Sequence, residues 1–377
     1  MKVLLVAEGS GGHLIPALQV ARALAIGGAH TKVWYAQRPQ TAPLADALTK
    51  DTAQASVEVD AIPIERSSNP FDRLWRCGAL WQRASRCFET FSPDVVVGFG
   101  GWVCAPVVLA ARARGISCMV HEQNVVMGRT NRLLARWVDR VAVSFRETQG
   151  TVRGAPSIMT GLPVRPAIGS ATRAQAAARF GLEAERPTLL VLGGSQGSRA
   201  LNRLMVQAAG FLTAEERRTW QIVHIAGTAD AATVRAAYEH AQLRAWVGAF
   251  LVEMEAAYAH ADLVIARAGA STIAELSRAG LPAVLIPYPH AGGHQRANAR
   301  AVEAIGGGIV LEESVTTPAR LLSSLRRILN DERLRTMMRR QLQGLTSGDA
   351  ATRLTEAILE VGSAHEAARA KGNACQA

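Results

Sequence analysis

Cysteine is scarce in this sequence of 377 residues, and its cysteines follow no recognisable pairing pattern. Five cysteines are spread along the chain, and no two of them form a Cys-x-x-Cys pair. An odd, scattered set argues against a disulfide framework, and the missing pair argues against a zinc site. The cysteine pattern therefore fits a protein of a reducing compartment.

The sequence also lacks a hydrophobic run long enough to cross a bilayer without interruption. Its longest uncharged stretch, residues 95–111, only reaches the lower limit for a membrane-spanning helix. Three glycines and a proline interrupt this stretch, which favours a strand, a loop and a helix in succession. We therefore expect no membrane-spanning segment.

Negative charge is the scarcer sign, with 31 acidic residues against 42 Lys and Arg and a formal net charge of +11. Such a balance favours an anionic partner, which can be a nucleic acid, a nucleotide or an acidic membrane surface. No Lys/Arg-rich run is interleaved with aromatic residues, so we expect no nucleic-acid partner. The hydrophobic share of 49% suffices for two domains with sizeable cores.

A succession of strand, glycine loop and helix occurs twice. Residues 2–7 form an apolar strand that enters Glu8-Gly-Ser-Gly-Gly-His13, and apolar residues at helical spacing follow. Residues 188–192 form a second such strand, which enters Gly193-Gly-Ser-Gln-Gly197 and another helical pattern. The repeat predicts two similar Rossmann-like α/β domains.

Short apolar runs predict the remaining strands. They lie at residues 31–35, 94–97, 117–121, 140–144, 221–225, 263–266 and 283–287. Helical stretches alternate with these runs, which is typical of parallel sheets covered by helices on both faces.

The segment Gly161-Leu-Pro-Val-Arg-Pro166 predicts an interdomain linker, because two prolines and a glycine discourage regular structure. We expect an N-terminal domain over residues 1–162 and a C-terminal domain over residues 163–345. A helix within residues 346–365 is expected to pack back on the N-terminal domain, and residues 366–377 are expected to form a frayed tail.

The first glycine loop is the sharpest candidate site. Gly9, Gly11 and Gly12 allow a tight turn and close approach to a ligand, and the next helix directs its positive end there. A plain strand-to-helix turn explains the glycines equally well. In the first helical turn the neutral form of His13 is favoured, which suits a general base. The alternative is a histidine that only hydrogen-bonds its own turn.

Two neighbouring strand ends carry further candidate segments. Gly100-Gly-Trp-Val-Cys-Ala-Pro106 follows the strand at 94–97, and His121-Glu-Gln-Asn124 ends the next strand. Ligands gather at the carboxyl ends of parallel strands, so these segments predict a pocket rimmed by polar side chains. Satisfied polar turns are the alternative for each.

In the second domain, Ala266-Arg-Ala-Gly-Ala-Ser-Thr-Ile-Ala-Glu275 leads from a strand into a helix. Its small residues can expose backbone N–H groups to a diphosphate. Glu275 either accepts hydrogen bonds from ribose hydroxyls or forms a capping box with Thr272, and the spacing alone favours the cap. Farther on, Gln295 and Asn298 are candidates to bond sugar hydroxyls, with a solvated loop as the alternative.

Taken together and in this order, the segments resemble the MurG family of bacterial N-acetylglucosaminyltransferases, which is glycosyltransferase family 28. The resemblance extends from Val3 to about residue 360. It also rests on Pro163-Val-Arg165, Ala279-Gly-Leu-Pro282 and His294-Gln-Arg-Ala-Asn298. At Glu8 a glycine is common in the family, and at Leu162 an asparagine is usual.

The resemblance implies a GT-B fold, in which two Rossmann-like doubly wound domains face each other across a cleft. It implies an inverting transfer of GlcNAc from UDP-GlcNAc to the C4 hydroxyl of MurNAc in a polyprenyl-diphosphate-linked MurNAc-pentapeptide, lipid I. His13 matches the position proposed for the base. The implied substrate-binding residues are Ser10, Gly11, Gly12, Asn124, Arg165, Ser195, Leu251, Ala270, Ser271, Thr272, Ile273, Ala274, Glu275 and Gln295.

The resemblance also implies what most of these residues contact. Leu251 would flank the uracil, Glu275 would contact the ribose and Gln295 the GlcNAc. Ser195, Arg165 and the backbone at residues 270–272 would lie near the phosphates. The residues at positions 10–12 and Asn124 would close the cleft from the N-terminal side.

No Asp-x-Asp pair, which usually holds a metal on the diphosphate of a sugar nucleotide, occurs in the chain. The helix end at residues 270–272 and Arg165 would then stabilise the leaving UDP electrostatically. We therefore expect no essential metal and no other cofactor.

Residues 62–91 combine Trp75 and Trp81 with several arginines, which is typical of a helix lying on an anionic membrane surface. An amphipathic domain helix with its aromatics in the core is the alternative. Because the implied acceptor is lipid-linked, we expect peripheral association with the anionic cytoplasmic face of the inner membrane.

Two other functions remain open for such a chain. A UDP-GlcNAc 2-epimerase on the same fold would share the nucleotide site, but it would need acid and base groups at the sugar and no lipid-facing surface. A non-enzymatic binding module would use the basic faces without turnover.

Overall fold

Two parallel sheets organise the chain, one in each of two units. The computed structural model describes residues 1–37, 56–64, 69–194, 197–345 and 349–374. Unit 1 comprises Met1–Val164 and Gly348–Ala377, and unit 2 comprises Arg165–Ser347. The chain therefore leaves unit 1 once and returns to it near its end.

Unit 1 is built on a seven-stranded sheet in the order β3-β2-β1-β4-β5-β6-β7. Its strands are β1 (Lys2–Glu8), β2 (His30–Gln37), β3 (Glu58–Pro63), β4 (Val95–Gly98), β5 (Ser117–Glu122), β6 (Arg140–Val143) and β7 (Ser157–Met159). All neighbouring strands run parallel. The strand order reverses between β1 and β4, and such a switch point is where ligands bind in open α/β sheets.

Side chains of β1 alternate between two hydrophobic clusters, one on each face of this sheet. Leu4 and Val6 join the cluster that contains Val107. Val3 and Leu5 join the other, together with α1 residues such as Leu14. Because successive strand residues point to opposite faces, burial on both faces makes β1 continuously apolar. The helices of this part are α1 (Gly11–Ile26), α2 (Pro70–Thr90), α3 (Cys104–Ala113), α4 (Arg129–Leu134) and α5 (Arg146–Gln149).

Unit 2 repeats the design with a six-stranded sheet in the order β10-β9-β8-β11-β12-β13. Its strands are β8 (Thr188–Leu192), β9 (Gln221–Ile225), β10 (Arg244–Gly248), β11 (Leu263–Ala266), β12 (Ala283–Leu285) and β13 (Gly308–Val310). They too are parallel, and the order reverses between β8 and β11.

The helices of unit 2 lie between and after these strands. They are α6 (Arg173–Phe180), α7 (Arg199–Ala209), α8 (Ala214–Thr219), α9 (Ala231–His240), α10 (Met254–His260), α11 (Ala270–Ala279), α12 (His294–Ala304), α13 (Pro318–Leu329) and α14 (Glu332–Leu345), with a 3₁₀ turn at Glu313–Val315. The first of them, α6, has a capping box between Thr172 and Gln175, so its start is specified locally.

The last helix, α15 (Ala350–Ala374), belongs to unit 1. Leu354, Ala357 and Ile358 are buried in the same cluster as Val3 and Leu14. The helix continues through Ala374, into the segment for which we expect a frayed tail. Alanine has the highest helix propensity, and this segment is rich in it. Residues 375–377 lie outside the described residues.

In the described ranges, no helix combines the length and the hydrophobicity that a bilayer crossing requires.

Candidate functional site

The first candidate site lies where β1 ends and α1 begins. Ser10 is the N-cap and the helix begins at Gly11, so Gly11 and Gly12 form its first turn. None of Gly9, Gly11 and Gly12 has a positive φ, so the turn does not depend on the left-handed conformation that glycine allows. The Ser10 side chain makes no capping bond to the backbone. The N–H groups of Gly11 and Gly12 are thereby left to other acceptors, such as an anion.

Ser10, in the same turn, holds one ring nitrogen of His13. Ser10 Oγ lies 2.8 Å from His13 Nδ1. When Nδ1 carries the proton and donates to Ser10, the lone pair of Nε2 is the one that can accept a proton from a substrate hydroxyl. The two interpretations of His13, a turn-bonding residue and a base, are therefore compatible.

The second glycine loop packs against this turn and requires glycine for both conformation and space. Gly100 has φ +95°, and a Cβ there would lie 3.1 Å from His13 Nε2. Gly101 has φ +87°, and a Cβ there would overlap the carboxylate of Glu8. These are conformations that L side chains rarely adopt. The ends of β1 and β4 thus bring the His13 ring and the backbone of the Gly100 loop together.

The expectation that all four polar side chains of the His121–Asn124 segment rim a pocket is wrong for three of them. His121, Glu122 and Gln123 are buried. His121 Nε2 lies 2.9 Å from the carbonyl oxygen of Gly161, and burial lowers the pKa of His121 to about 4. A satisfied polar turn is the correct interpretation for these side chains. Asn124 is partly exposed.

Glu122 fixes the backbone that presents Asn124. Its Oε1 accepts a hydrogen bond from the Asn124 backbone N–H at 3.0 Å. Its Oε2 accepts from the Gly128 N–H at 2.9 Å and from Asn131 Nδ2 at 2.9 Å. Several N–H donors on one buried carboxylate fix the loop around it.

The second candidate site lies where β11 ends and α11 begins. Gly269 is the N-cap and the helix begins at Ala270. Thr272 therefore lies inside the first turn, and the capping-box interpretation of Glu275 is wrong. No side chain caps this helix end, which leaves the first-turn N–H groups to other acceptors.

Glu275 is buried and linked to two side chains of unit 2. The Tyr258 hydroxyl donates to Glu275 Oε2 at 2.7 Å. Arg165 Nη2 lies 4.0 Å from Oε1. Burial raises the pKa of Glu275, although the Arg165 guanidinium opposes the shift. Sequence reasoning missed Tyr258, for which the only signal is that a buried tyrosine needs a hydrogen-bond partner.

The first residues of α11 differ in the hydrogen bonds and the burial of their polar and apolar groups. Ser271 Oγ is buried and has no hydrogen-bond partner among the described residues. The Ile273 N–H donates to the Gly269 carbonyl at 3.0 Å, so it is the first amide of this turn committed within the helix. The side chains of Ile273 and Ala274 are buried in the packing of unit 2.

Arg165, which lies near Glu275, also contacts the segment that precedes α10. Its Nη1 donates to the Val252 carbonyl at 2.7 Å. Leu251 beside it is buried, whereas Phe250 and Val252 are 40% and 45% exposed. Leu251, Arg165 and Glu275 thus share one region of unit 2.

Gln295 lies in the first turn of α12, and its Oε1 accepts a hydrogen bond from the Tyr288 N–H at 2.9 Å. Its Nε2 is then the group that can donate to a sugar oxygen. Asn298 is fully buried and donates from Nδ2 to the Ala268 carbonyl at 3.2 Å, so its expected sugar contact is wrong. Ser195 lies outside the described residues.

The described ranges contain no group of three or more His, Cys, Asp or Glu side chains that could hold a metal ion.

Comparison with known proteins places both units in one family. The glycosyltransferase family 28 N-terminal domain matches residues 3–143, and its C-terminal domain matches residues 188–354. The UDP-N-acetylglucosamine–N-acetylmuramyl-(pentapeptide) pyrophosphoryl-undecaprenol N-acetylglucosamine transferase of Nocardioides sp. strain JS614 is 37% identical over 96% of this chain and 98% of the relative. The chain belongs to the MurG family of glycosyltransferases.

Further MurG relatives agree. The transferase of the same name from Mesorhizobium japonicum is 37% identical over 89% of this chain and 88% of its own length. The crystal structure of Acinetobacter baumannii MurG superposes with a TM-score of 0.74 at 28% identity, covering 95% of this chain and 99% of that one. The two-domain α/β GT-B fold expected from the sequence is confirmed.

A UDP-GlcNAc 2-epimerase from Neisseria meningitidis also shares the fold. Its TM-score is 0.69 at 12% identity, covering 96% of this chain and all of that one. At so low an identity the likeness concerns the fold alone.

The contact between Gly100 and His13 predicts an effect on turnover beyond an effect on stability. Gly100→Ala should lower kcat on the order of a hundredfold, because the new Cβ displaces the imidazole. Gly115→Ala is the matched control, since Gly115 also has a positive φ, +68°, but has nothing within 4 Å of an added Cβ. Urea unfolding should show both variants destabilised by about 1 kcal/mol or more. Equal transfer rates in the two variants would contradict the assigned contact.

Proposed function

We propose that this chain transfers N-acetylglucosamine from UDP-GlcNAc to the C4 hydroxyl of MurNAc in undecaprenyl-diphosphoryl-MurNAc-pentapeptide. This reaction converts lipid I into lipid II and is a step of peptidoglycan synthesis. The observation that carries the proposal is the 37% identity to a transferase of that name over 96% of the chain. A 2-epimerase is the weaker alternative, because the epimerase shares only the fold.

Unit 2 binds the donor in this proposal. The Glu275 carboxylate accepts hydrogen bonds from the ribose hydroxyls, and Leu251 flanks the uracil. The backbone N–H groups at residues 270–272, Ser195 and Arg165 contact the diphosphate. Gln295 donates from Nε2 to the GlcNAc. The uncapped end of α11 supports this assignment, since an open helix N-terminus favours an anion.

The reaction inverts the anomeric carbon in a single displacement. His13 Nε2 accepts the proton of the C4 hydroxyl as its oxygen attacks, and UDP leaves from the opposite face. Negative charge then grows on the diphosphate, where the α11 amides and Arg165 stabilise it. In unit 1, Ser10, Gly11, Gly12 and Asn124 contact the substrates. One base suffices, because no covalent intermediate has to be formed and broken.

Replacement of the base should abolish most of the turnover and spare donor binding. His13→Ala should lower kcat for a lipid I analogue on the order of a hundredfold or more. Its Kd for UDP should stay within about twofold of wild type, because the donor contacts lie in unit 2. His30→Ala, at an exposed histidine where β2 begins, is the matched control. If the His13→Ala enzyme turns over at the wild-type rate, His13 is not the base and has only a structural role.

The proposed site operates without a metal or another cofactor. Amide N–H groups at a helix end and a guanidinium supply the positive charge that a metal clamp would otherwise provide. We expect the rate of GlcNAc transfer to be unchanged by EDTA in excess over any divalent ion. A loss of activity that a single added divalent cation restores would contradict this expectation.

We further propose that α2 rests on the anionic face of the membrane that contains the acceptor. Phe71, Leu74 and Trp75 are 78%, 73% and 75% exposed, whereas Leu80 and Phe88 are buried. Exposed residues at this spacing share one side of a helix. Exposed Arg83 and Arg86 on the same helix supply charge for anionic lipid.

The exposed side of α2 predicts vesicle binding that depends on its apolar residues. A Leu74→Ser/Trp75→Ser double variant should bind phosphatidylglycerol vesicles at least tenfold more weakly, because each buried apolar side chain contributes about 1.5–3 kcal/mol. Phe211→Ser is the matched control, since Phe211 in unit 2 is 67% exposed. Cosedimentation at low salt measures both. Equal losses in the two variants would argue against α2 as the contact surface.

A further inference from the structure

A buried tyrosine of unit 2 directs its hydroxyl at the carboxylate assigned to the donor. Tyr258 lies on α10 and is 3% exposed. Its hydroxyl donates to Glu275 Oε2 at 2.7 Å. Glu275 lies on α11, so the bond connects the helix that precedes β11 in the chain to the helix that follows it.

The carboxylate of Glu275 needs such a donor because it is buried. Removal from water disfavours the charged form of a carboxyl group, and burial raises the pKa of Glu275 accordingly. At 4.0 Å, Arg165 lies beyond hydrogen-bond distance of Oε1 and contributes only its charge. Tyr258 therefore supplies the direct hydrogen bond that the ionised carboxylate receives within the described part of the chain.

The two carboxylate oxygens of Glu275 differ in their hydrogen-bond partners. Oε2 is occupied by the tyrosine, and its bond fixes the rotation of the carboxylate. Oε1 accepts no hydrogen bond from the residues described, although each carboxylate oxygen has two acceptor positions. A vicinal diol presents two O–H donors that match such an ionised, oriented acceptor.

We propose that Tyr258 is a positioning residue for nucleoside recognition, which keeps Glu275 ionised and oriented to accept hydrogen bonds from the vicinal ribose hydroxyls of the donor. The inference rests on the proposed function, since it concerns the same donor site. A tyrosine with a merely structural role, tying α10 to α11, would affect every nucleotide alike. The two roles therefore differ in how affinity depends on the ribose hydroxyls.

The test compares UDP with 2′,3′-dideoxy-UDP by calorimetric titration of the full chain. Tyr258→Phe keeps the ring and removes only the hydroxyl. For this variant we expect the Kd for UDP to rise on the order of tenfold, as for a lost hydrogen bond to a charged group. The Kd for dideoxy-UDP should stay unchanged. KM for UDP-GlcNAc should rise with kcat within about twofold of wild type, because binding is lost equally in ground and transition states.

Tyr238→Phe is the matched control. Tyr238 is a second buried tyrosine of unit 2, and its hydroxyl lies 2.8 Å from His224 Nδ1 on β9. Its replacement should leave the ratio of the two dissociation constants at the wild-type value. Circular dichroism melting of both variants separates a loss of fold from a loss of recognition.

Glu275→Gln separates failure of this inference from failure of the proposed function. If Glu275→Gln loses the preference for UDP over dideoxy-UDP and Tyr258→Phe keeps it, the role of Tyr258 is overturned and the donor site stands. If Glu275→Gln keeps the preference, the ribose contact itself is wrong. A Tyr258→Phe/Glu275→Gln double variant should show no further loss of preference beyond Glu275→Gln, because the tyrosine acts through the carboxylate.

Discussion

Neither α1 nor α11 begins with a side chain that satisfies its first backbone N–H groups. An exposed helix start normally gains about 1 kcal/mol from a capping side chain, and α6 has the full capping box. Both helices follow a strand that borders the strand reversal of its sheet, β1 in unit 1 and β11 in unit 2. The open amides of these two helices thus lie where parallel sheets bind ligands, and the proposed chemistry in each unit depends on them.

Buried polar groups hold the surroundings of both helix ends rigid. In unit 1, Glu122 binds the backbone of the Asn124 loop, and Gly100 admits the His13 ring. In unit 2, Tyr258 binds Glu275, and Asn298 binds the Ala268 carbonyl just before α11. The bonds of Tyr258 and Asn298 are buried and that of Glu122 is partly buried, and a broken hydrogen bond costs most where it is buried. Some polar residues near the sites can therefore contact a ligand, and others hold those residues in position.

The two sheets could be predicted from the sequence except at their edges. The apolar runs indicate every interior strand, but they do not indicate β3, β7, β10 and β13, which are the four edge strands. An edge strand is covered less completely, and β7 and β13 are only half-buried along their length, so neither needs a continuous apolar run. The hydrogen-bond partners of individual side chains could be predicted less well than the strands. Spacing favoured Thr272 as a cap for Glu275, whereas the true partner, Tyr258, lies on another helix and is separated from it by a strand.

The return of α15 to unit 1 makes that unit discontinuous in sequence. Leu354 and Ile358 complete the cluster around Val3 and Leu14, yet the ribosome synthesises them only after all of unit 2. During translation, unit 2 can therefore acquire its whole core while unit 1 still exposes one apolar flank. Domains usually complete their folding from the N-terminus onward as the chain emerges. Here the core of unit 1 can be completed only after its last helix has been synthesised, so the final step of its folding falls at the end of translation.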